Sequence, residues 1–400
     1  MVRQITEKVY YVGCSDRRLE LFENIYPISR GVSYNSYLVL DEKTILFDTV
    51  DASVSTEFLE NVKKTLQERS LDYFVIQHME PDHCAAMIEI IKAYPEVKIV
   101  CNAKIVTMMK QFFGYDPKEK AVLVKEGDTL TTGTHTFTFV MAPMVHWPEV
   151  MVTYDQTAKI LFSADAFGTF GSLDGNLFAD EVAFEKEWLA DARRYYTNIV
   201  GKYGVQVQNL LKKAGGLDIE VICPLHGPIW RENLGWFLNK YQLWSSYQAE
   251  EQAVMIAYGS VYGNTAKAAD YLAACLSEKG VKQIKVYDTS KTDVSELVAE
   301  AFRCSHCVFA AATYNGGIFT KMEQLLLDLK AHNLQNRTIA LIENGSWAPM
   351  AAKQMHAILE PLKNIMELEP VISIKSAMTE ENKKEIEELA EKIAAEILSK

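Results

Sequence analysis

Residues 77–87 read QHMEPDHCAAM. Two imidazoles and two carboxylates, His78, Glu80, Asp82 and His83, stand within six positions. Isolated charges are costly to bury, and metal coordination is one way to offset that cost. The cluster begins where an apolar run, YFVIQ (73–77), ends. Loops at strand ends are where a sheet gathers distant residues. Three more candidates share that placement: His146 follows TFTFVMAPM, Asp165 ends KILFSAD and His226 ends EVICPLH. Four imidazoles and three carboxylates are too many for one tetrahedral ion. They suit two metals with a carboxylate between them, and Asp165 is the expected bridge.

Ligand softness narrows the metal. Imidazole suits zinc, copper, iron and nickel, while carboxylate shifts the preference toward harder ions. The set fits non-haem iron or manganese and leaves zinc open. Of the cysteines only Cys84 neighbours the cluster, and ordinary packing is expected for it. His135, His306, His332 and His356 lie outside the set and are expected to be surface or core residues.

The rest of the chain changes character near residue 250, which suggests domains at 1–250 and 251–400. Before that point KVYYVG (8–13), SYLVL (36–40), KTILFD (43–48), YFVIQ (73–77), KIVC (98–101), TFTFVMA (136–142), MVTYD (151–155) and KILFSAD (159–165) read as strands. Helical stretches around 54–69, 84–94 and 181–214 interrupt them. Many strands with intermittent helices predict an α/β sandwich. After SYQAEEQ (246–252) the rhythm is regular. AVMIAY (253–258), KVYD (285–288), CVFAAA (307–312), TIALIE (338–343) and VISI (371–374) are apolar strands, each followed by a helical segment. That alternation predicts a doubly wound parallel sheet.

Composition excludes several classes. The 400 residues are 48% hydrophobic and 24% charged, an ordinary globular balance that argues against disorder. A formal net charge of −12 argues against nonspecific binding to nucleic acid or an anionic membrane. Seven scattered cysteines suit a reducing cytoplasm better than a disulfide framework. No signal peptide and no apolar run of about 20 residues is evident.

The order H-x-E-x-D-H, followed by a distant His, Asp and His, resembles the metallo-β-lactamase superfamily with a glutamate at its second position. That variant resembles the flavodiiron proteins, or A-type flavoproteins. SYNSYLV (33–39), APMVHWP (142–148), FSADAFG (162–168) and PLHGPIW (224–230) are similar to the same family. The resemblance implies an αββα sandwich over the first domain. It also implies that His78, Glu80 and His146 bind one iron and Asp82, His83 and His226 the other, with Asp165 bridging. His83 is the least secure ligand, since in some members the matching histidine swings away.

In the second domain AVMIAYGSVYGNTAKAA (253–269) turns from strand to helix. The turn GSVYGNT supplies consecutive backbone N–H groups, a helix N-terminus and hydroxyls, which together suit an anion. It is neither G-x-G-x-x-G nor G-x-x-x-x-G-K-[ST], so neither a dinucleotide nor a nucleoside triphosphate is favoured. Ser260, Val261, Tyr262, Gly263, Asn264 and Thr265 resemble the FMN-phosphate loop of flavodoxins. AAATYNGGIF (310–319) and ENGSWAP (343–349) follow later strands, at the end where such a sheet places its ligand. Their Ala312, Thr313, Tyr314, Asn315, Gly316, Gly317, Ser346 and Trp347 are the expected ring-binding residues. The pair Cys304 and Cys307 forms a lone C-x-x-C, for which packing is expected.

FMN and two irons imply an oxidoreductase that reduces O2 to water, NO to N2O, or both. Phe167, Trp147 and Phe170 are expected to make a pocket for a diatomic gas. The pair Tyr195 and Tyr196 lies on an expected helix, and two readings stand side by side for it: one ring, Tyr195, reaching the metal pocket, or both rings half-buried on the helix. Resemblance implies a head-to-tail homodimer or a dimer of such dimers. No four-cysteine rubredoxin module follows, so an external donor is expected: rubredoxin, another small electron carrier or a reduced deazaflavin. Two other readings compete: a dizinc hydrolase, and an FMN electron-transfer or sensing module with a vestigial metal site.

Overall fold

In the computed structural model, which describes residues 2–399, the chain divides into two compact units. One holds the residues up to Tyr196 together with Val205–Tyr241, and the other holds Thr197–Gly204 and Gln242 onward.

The first unit is built on two sheets. One runs Arg3–Gln4, Val9–Tyr11, Tyr37–Leu40, Thr44–Phe47, Tyr73–Val75, Lys98–Cys101 and Ala121–Leu123 in spatial order. The other runs Thr129–Thr131, Thr136–Met141, Met151–Asp155, Ile160–Phe162 and Val221–Cys223. They join through aromatic rings. Phe47 of the first sheet stacks on Phe162 of the second at 4.1 Å and meets Phe137 at 5.4 Å. Contacts of this kind contribute about 0.5–1.5 kcal/mol beyond their buried area. The arrangement is the expected sandwich.

Local chemistry sets the helix boundaries. Pro81 occupies a first-turn position, where its missing N–H costs nothing, so a short helix Pro81–Cys84 starts earlier than periodicity suggests. A second helix, Met87–Ala93, follows. The stretch 181–214, expected to be largely helical, is broken. Phe184–Glu187 and Leu189–Tyr195 meet at Trp188, and a π-helical turn spans Tyr196–Val200 before Gly204–Ala214. Two helices escaped the sequence reading. Ala103–Phe113 is capped by the Asn102 side chain and stopped by Gly114 at φ +61°. Leu234–Ser245 has apolar residues around much of its circumference, which hides a helical period.

The second unit holds a sheet in the order Ile284–Asp288, Glu251–Gly259, Cys304–Tyr314, Arg337–Asn344, Ile365–Glu367, with Ile372–Ile374 also pairing Arg337–Asn344. These pairings are parallel. Alternate residues point to opposite faces, and both faces are covered. Met255, Ala257, Phe309 and Leu341 pack toward the helices Val294–Arg303, Thr320–Ala331 and Ala351–Leu359. Val254, Ile256, Val308 and Ile342 pack toward Asn264–Glu278 and Glu380–Leu398. That is the doubly wound sheet expected from the strand–helix rhythm, with a crossover beside Glu251–Gly259 that opens a ligand crevice at the strands' carboxyl ends. All seven cysteines are free and buried. Cys304 and Cys307 lie inside the central strand, where burial pushes both thiols far up in pKa. No described helix is long and apolar enough to cross a membrane.

Candidate metal centre and ligand cavity

His78, Asp165 and His226 each lie three residues past the end of a strand, Tyr73–Val75, Ile160–Phe162 and Val221–Cys223 respectively. The first of these strands belongs to one sheet and the other two to its partner. The three loops, with that of His146, therefore open at one edge of the sandwich.

The loops are tied down. Ser163 N donates to Cys223 O, Leu225 N to Ala164 O and Phe167 N to the Tyr241 hydroxyl, at 3.1, 2.9 and 2.6 Å. Met144, Ala164 and Phe167, which flank His146 and Asp165, all hold positive φ, at 64°, 50° and 70°. Backbone strain of about 1–3 kcal/mol per residue persists only where the surroundings over-determine it, and such strain clusters at functional sites. The His226 loop is clamped by SYNSYLV. Asn35 Nδ2 donates to Pro224 O and Gly227 O at 2.8 Å, and Ser33 Oγ accepts from Gly227 N at 2.7 Å. Gly227 sits at φ +76°, and a Cβ there would meet Thr169 Cγ2 at 2.1 Å, so the position requires glycine.

All seven predicted residues come together in two groups. His78, Glu80, His146 and Asp165 form one; Asp82, His83 and His226 form the other. In the first, Glu80 Oε2 lies 3.1 Å from His78 Nε2 and 3.0 Å from His146 Nε2. In the second, Asp82 Oδ2 lies 3.4 Å from His83 Nε2 and 3.3 Å from His226 Nε2. Asp165 faces both. Its Oδ2 is 3.1 and 3.0 Å from the Nε2 atoms of His78 and His146, and its Oδ1 is 3.2 and 3.8 Å from those of His83 and His226.

This donor set fits a pair of cations. His226 Nδ1 donates to the Ser33 carbonyl at 2.8 Å, which turns Nε2 toward the group. His83 Nε2 faces that Nε2 at 3.0 Å. Both oxygens of Asp165 and of Asp82 are buried without a hydrogen-bond partner among the described residues. Lone pairs converging in a dry site repel unless positive charge lies among them. With protons as the only positive charge, the carboxylates draw them onto the rings. Burial opposes this, yet Asp165 and its neighbours lift the His78 pKa well above the usual range and that of His146 up to about 9. Burial likewise pushes the Asp165 carboxyl up, but His78 and His83 hold it well below the usual carboxylate range. A metal ion bound here would replace those protons.

Aromatic rings surround the two groups. Trp147 stands edge-on to His78 at 5.2 Å, and Phe170 meets Tyr195 at 5.3 Å. Phe167 packs on Tyr241 at 4.4 Å. Phe22 and Tyr34, which the sequence did not single out, lie 5.3 and 6.0 Å from His226. Tyr195 is 5.5 Å from the same ring, and its buried hydroxyl lacks a hydrogen-bond partner among the described residues. The remaining histidines are satisfied elsewhere: His135 by Asp155, His306 by Ser305 and Glu396, His332 by Asp328 O and His356 by Glu367.

The second unit carries a cavity of about 620 Å³ at the carboxyl ends of its strands. Ser260, Val261, Tyr262, Asn264, Thr265, Ala312, Thr313, Tyr314, Asn315, Gly316, Ser346 and Trp347 line it. Gly263 is not in the wall; it caps the helix Asn264–Glu278 at φ +91°. Gly317 is not in the wall either; it pairs with Tyr314 in a short hairpin. Asn344, Gly345, Ala348, Met350 and Ser376 also line the cavity and were missed. Ser376 comes from a loop with no glycine–aromatic signature, and Asn344 Oδ1 accepts from its N–H at 3.0 Å. Tyr262 and Trp347 are 94% and 91% exposed, which leaves ring faces open to a planar ligand. Helix N-terminus, hydroxyls and open aromatic faces fit a phosphorylated flavin.

Comparison with known proteins places both halves. Residues 32–227 match the ODP family beta lactamase, and residues 256–396 match flavodoxin. The rubredoxin oxygen:oxidoreductase of Desulfovibrio gigas superposes with a TM-score of 0.91 at 28% identity, covering 100% of this chain and 99% of that one. The flavodiiron protein of Giardia intestinalis shares the fold, with a TM-score of 0.93 at 24% identity, covering 100% and 97%. The anaerobic nitric oxide reductase flavorubredoxin of Vibrio vulnificus is 30% identical over 90% of this chain and 73% of its own length. Identity sustained through both domains, in the same order, goes beyond a shared architecture: the chain belongs to the flavodiiron protein family of oxidoreductases.

Proposed function

We propose that the protein reduces O2 to water, NO to N2O, or both, at two irons held by His78, Glu80, Asp82, His83, His146, Asp165 and His226. In this reading residues 1–250 form the iron-binding part and 251–400 the FMN-binding part. The observation that carries it is the Asp165 carboxylate, whose two oxygens face two separate ligand groups. When bound, two ferrous ions and a reduced flavin supply four electrons, enough for one O2, while two suffice for two NO.

The chain's own residues bind, orient and shield. Glu80 and Asp82 each serve one position, and Asp165 links them. Trp147, Phe170 and Phe22 pack around the ligand rings and limit water. The Tyr195 hydroxyl is placed to hold a proton beside the site. Ser260, Asn264 and Thr265 with the backbone from Val261 to Gly263 bind the flavin phosphate. Ala312–Gly317, Ser346 and Trp347 hold the ring. Electrons come from an external donor: rubredoxin, another small carrier or a reduced deazaflavin. The working assembly is a head-to-tail homodimer or a dimer of dimers. Seven free cysteines favour a reducing compartment, the cytoplasm.

Metal and flavin analysis of anaerobically purified protein tests this, with electron consumption followed separately under O2 and NO. Two irons and one FMN per chain with rapid reoxidation are expected. Zinc in both positions with a flavin indifferent to either gas would overturn the reading.

A further inference from the structure

A metal-binding imidazole is aimed by what its other nitrogen touches. Three of the four histidines differ in that respect. His78 Nδ1 donates to Glu149 Oε1 at 2.8 Å. Glu149 is 1% exposed, and the same oxygen accepts from Met79 N at 3.0 Å. The Glu149 backbone carbonyl is itself held by Asn102 Nδ2 at 2.7 Å. His226 Nδ1 donates to a neutral group, the Ser33 carbonyl, at 2.8 Å. His83 Nδ1 is buried with no hydrogen-bond partner among the described residues.

These partners are not equivalent. A carboxylate on the distal N–H fixes the ring's tautomer and rotation and makes the proximal nitrogen a stronger electron donor. A carbonyl fixes the ring but adds less negative charge. A ring without a distal partner is held by packing alone.

On the diiron reading above, we propose that Glu149 is a positioning residue for His78 that makes the two metal positions unequal. The position framed by His78, Glu80 and His146 holds its ion tightly. The position framed by Asp82, His83 and His226 gives up its ion first.

The test is graded chelation of the anaerobic holoprotein, with iron released and iron retained measured at each chelator concentration. Crystals taken after partial chelation locate the retained iron by anomalous scattering. In the native protein one iron per chain should leave at a chelator concentration at least about 10-fold lower than the second, and the retained iron should lie beside His78. E149L, which removes charge and acceptor, should weaken the tight step by about 10–100-fold and leave the loose step unchanged. E149Q keeps an acceptor for His78 and should fall between the two. FMN content and melting temperature report on folding; where E149L melts early, E149Q carries the test. Two irons leaving together from the native protein, a retained iron beside His226, or equal weakening of both steps in E149Q would overturn the proposal. Native protein that holds fewer than two irons would instead sink the diiron reading on which it rests.

Discussion

The two candidate sites are built in opposite ways. The metal centre is made of side chains: His78, His83 and Asp165 are 0% exposed, and each ring must meet a carboxylate at 3.0–3.4 Å. The flavin cavity is lined by loops rich in small residues, with rings such as Tyr262 and Trp347 left in solvent. A buried set of charges is an all-or-none device, because removing one member leaves the others unpaired in a dry site. An open cavity with many weak donors degrades gradually. Substitutions should therefore be severe in the first unit and graded in the second.

The largest effect is expected at Asp165. Partners that merely orient a ligand already cost about 10–100-fold in metal affinity or activity. Asp165→Asn should lower gas-reductase turnover at least about 100-fold and release iron, with FMN still at one per chain. A variant that loses flavin but keeps its iron would break the contrast outright.

Next comes the clamp on His226. Gly227→Ala drives a methyl into Thr169 and forces a strained φ, at a cost of about 1–3 kcal/mol. Denaturant unfolding should show that loss, and Thr169→Ala in the same chain should recover only the steric part. Full recovery would mean that φ at Gly227 carries no strain.

A smaller effect is expected in the phosphate loop. Thr265 is buried at the first turn of its helix, and a hydrogen bond to a charged group contributes about 1.5–3 kcal/mol. Thr265→Ala should weaken FMN binding by about tenfold or somewhat more by fluorescence titration, while iron content stays at the native level. Iron lost along with the flavin would show that the two sites are not independent.

The smallest effect is at the surface of the second unit, where the Glu367 carboxylate lies 2.7 Å from His356 and raises its pKa. A folded-state pKa above the unfolded one stabilises fully below the unfolded value, about 6.5, and the gain is lost as pH rises through the folded value. The ring is half exposed and screened, so the change should be no more than about 0.5 kcal/mol. His356→Gln should flatten the stability profile between about pH 6 and 8.

Much of this was legible in the chain. Strand–helix alternation after residue 250 announced the doubly wound sheet, because a strand buried on both faces must be apolar throughout. The spacing in QHMEPDHC and the three later strand-end residues named all seven members of the two clusters, since residues at strand ends converge where a sandwich closes. Two helices and the break at Trp188 escaped, because helix ends depend on caps and tertiary packing that periodicity does not record. Gly263 and Gly317, expected among the cofactor-binding residues, shape the loops that form the cavity rather than its wall, a role that only the backbone conformation reveals.

Residue type and local spacing thus determined the two-part α/β architecture and which side chains gather in the two groups. Only the tertiary structure decided how those side chains are held. Glu149 meets His78 across 71 positions of chain and Ser33 meets His226 across 193, and no local pattern relates residues that far apart. Which oxygen of Asp165 faces which group was likewise settled by packing between two sheets, where the closing of the sandwich sets the distances.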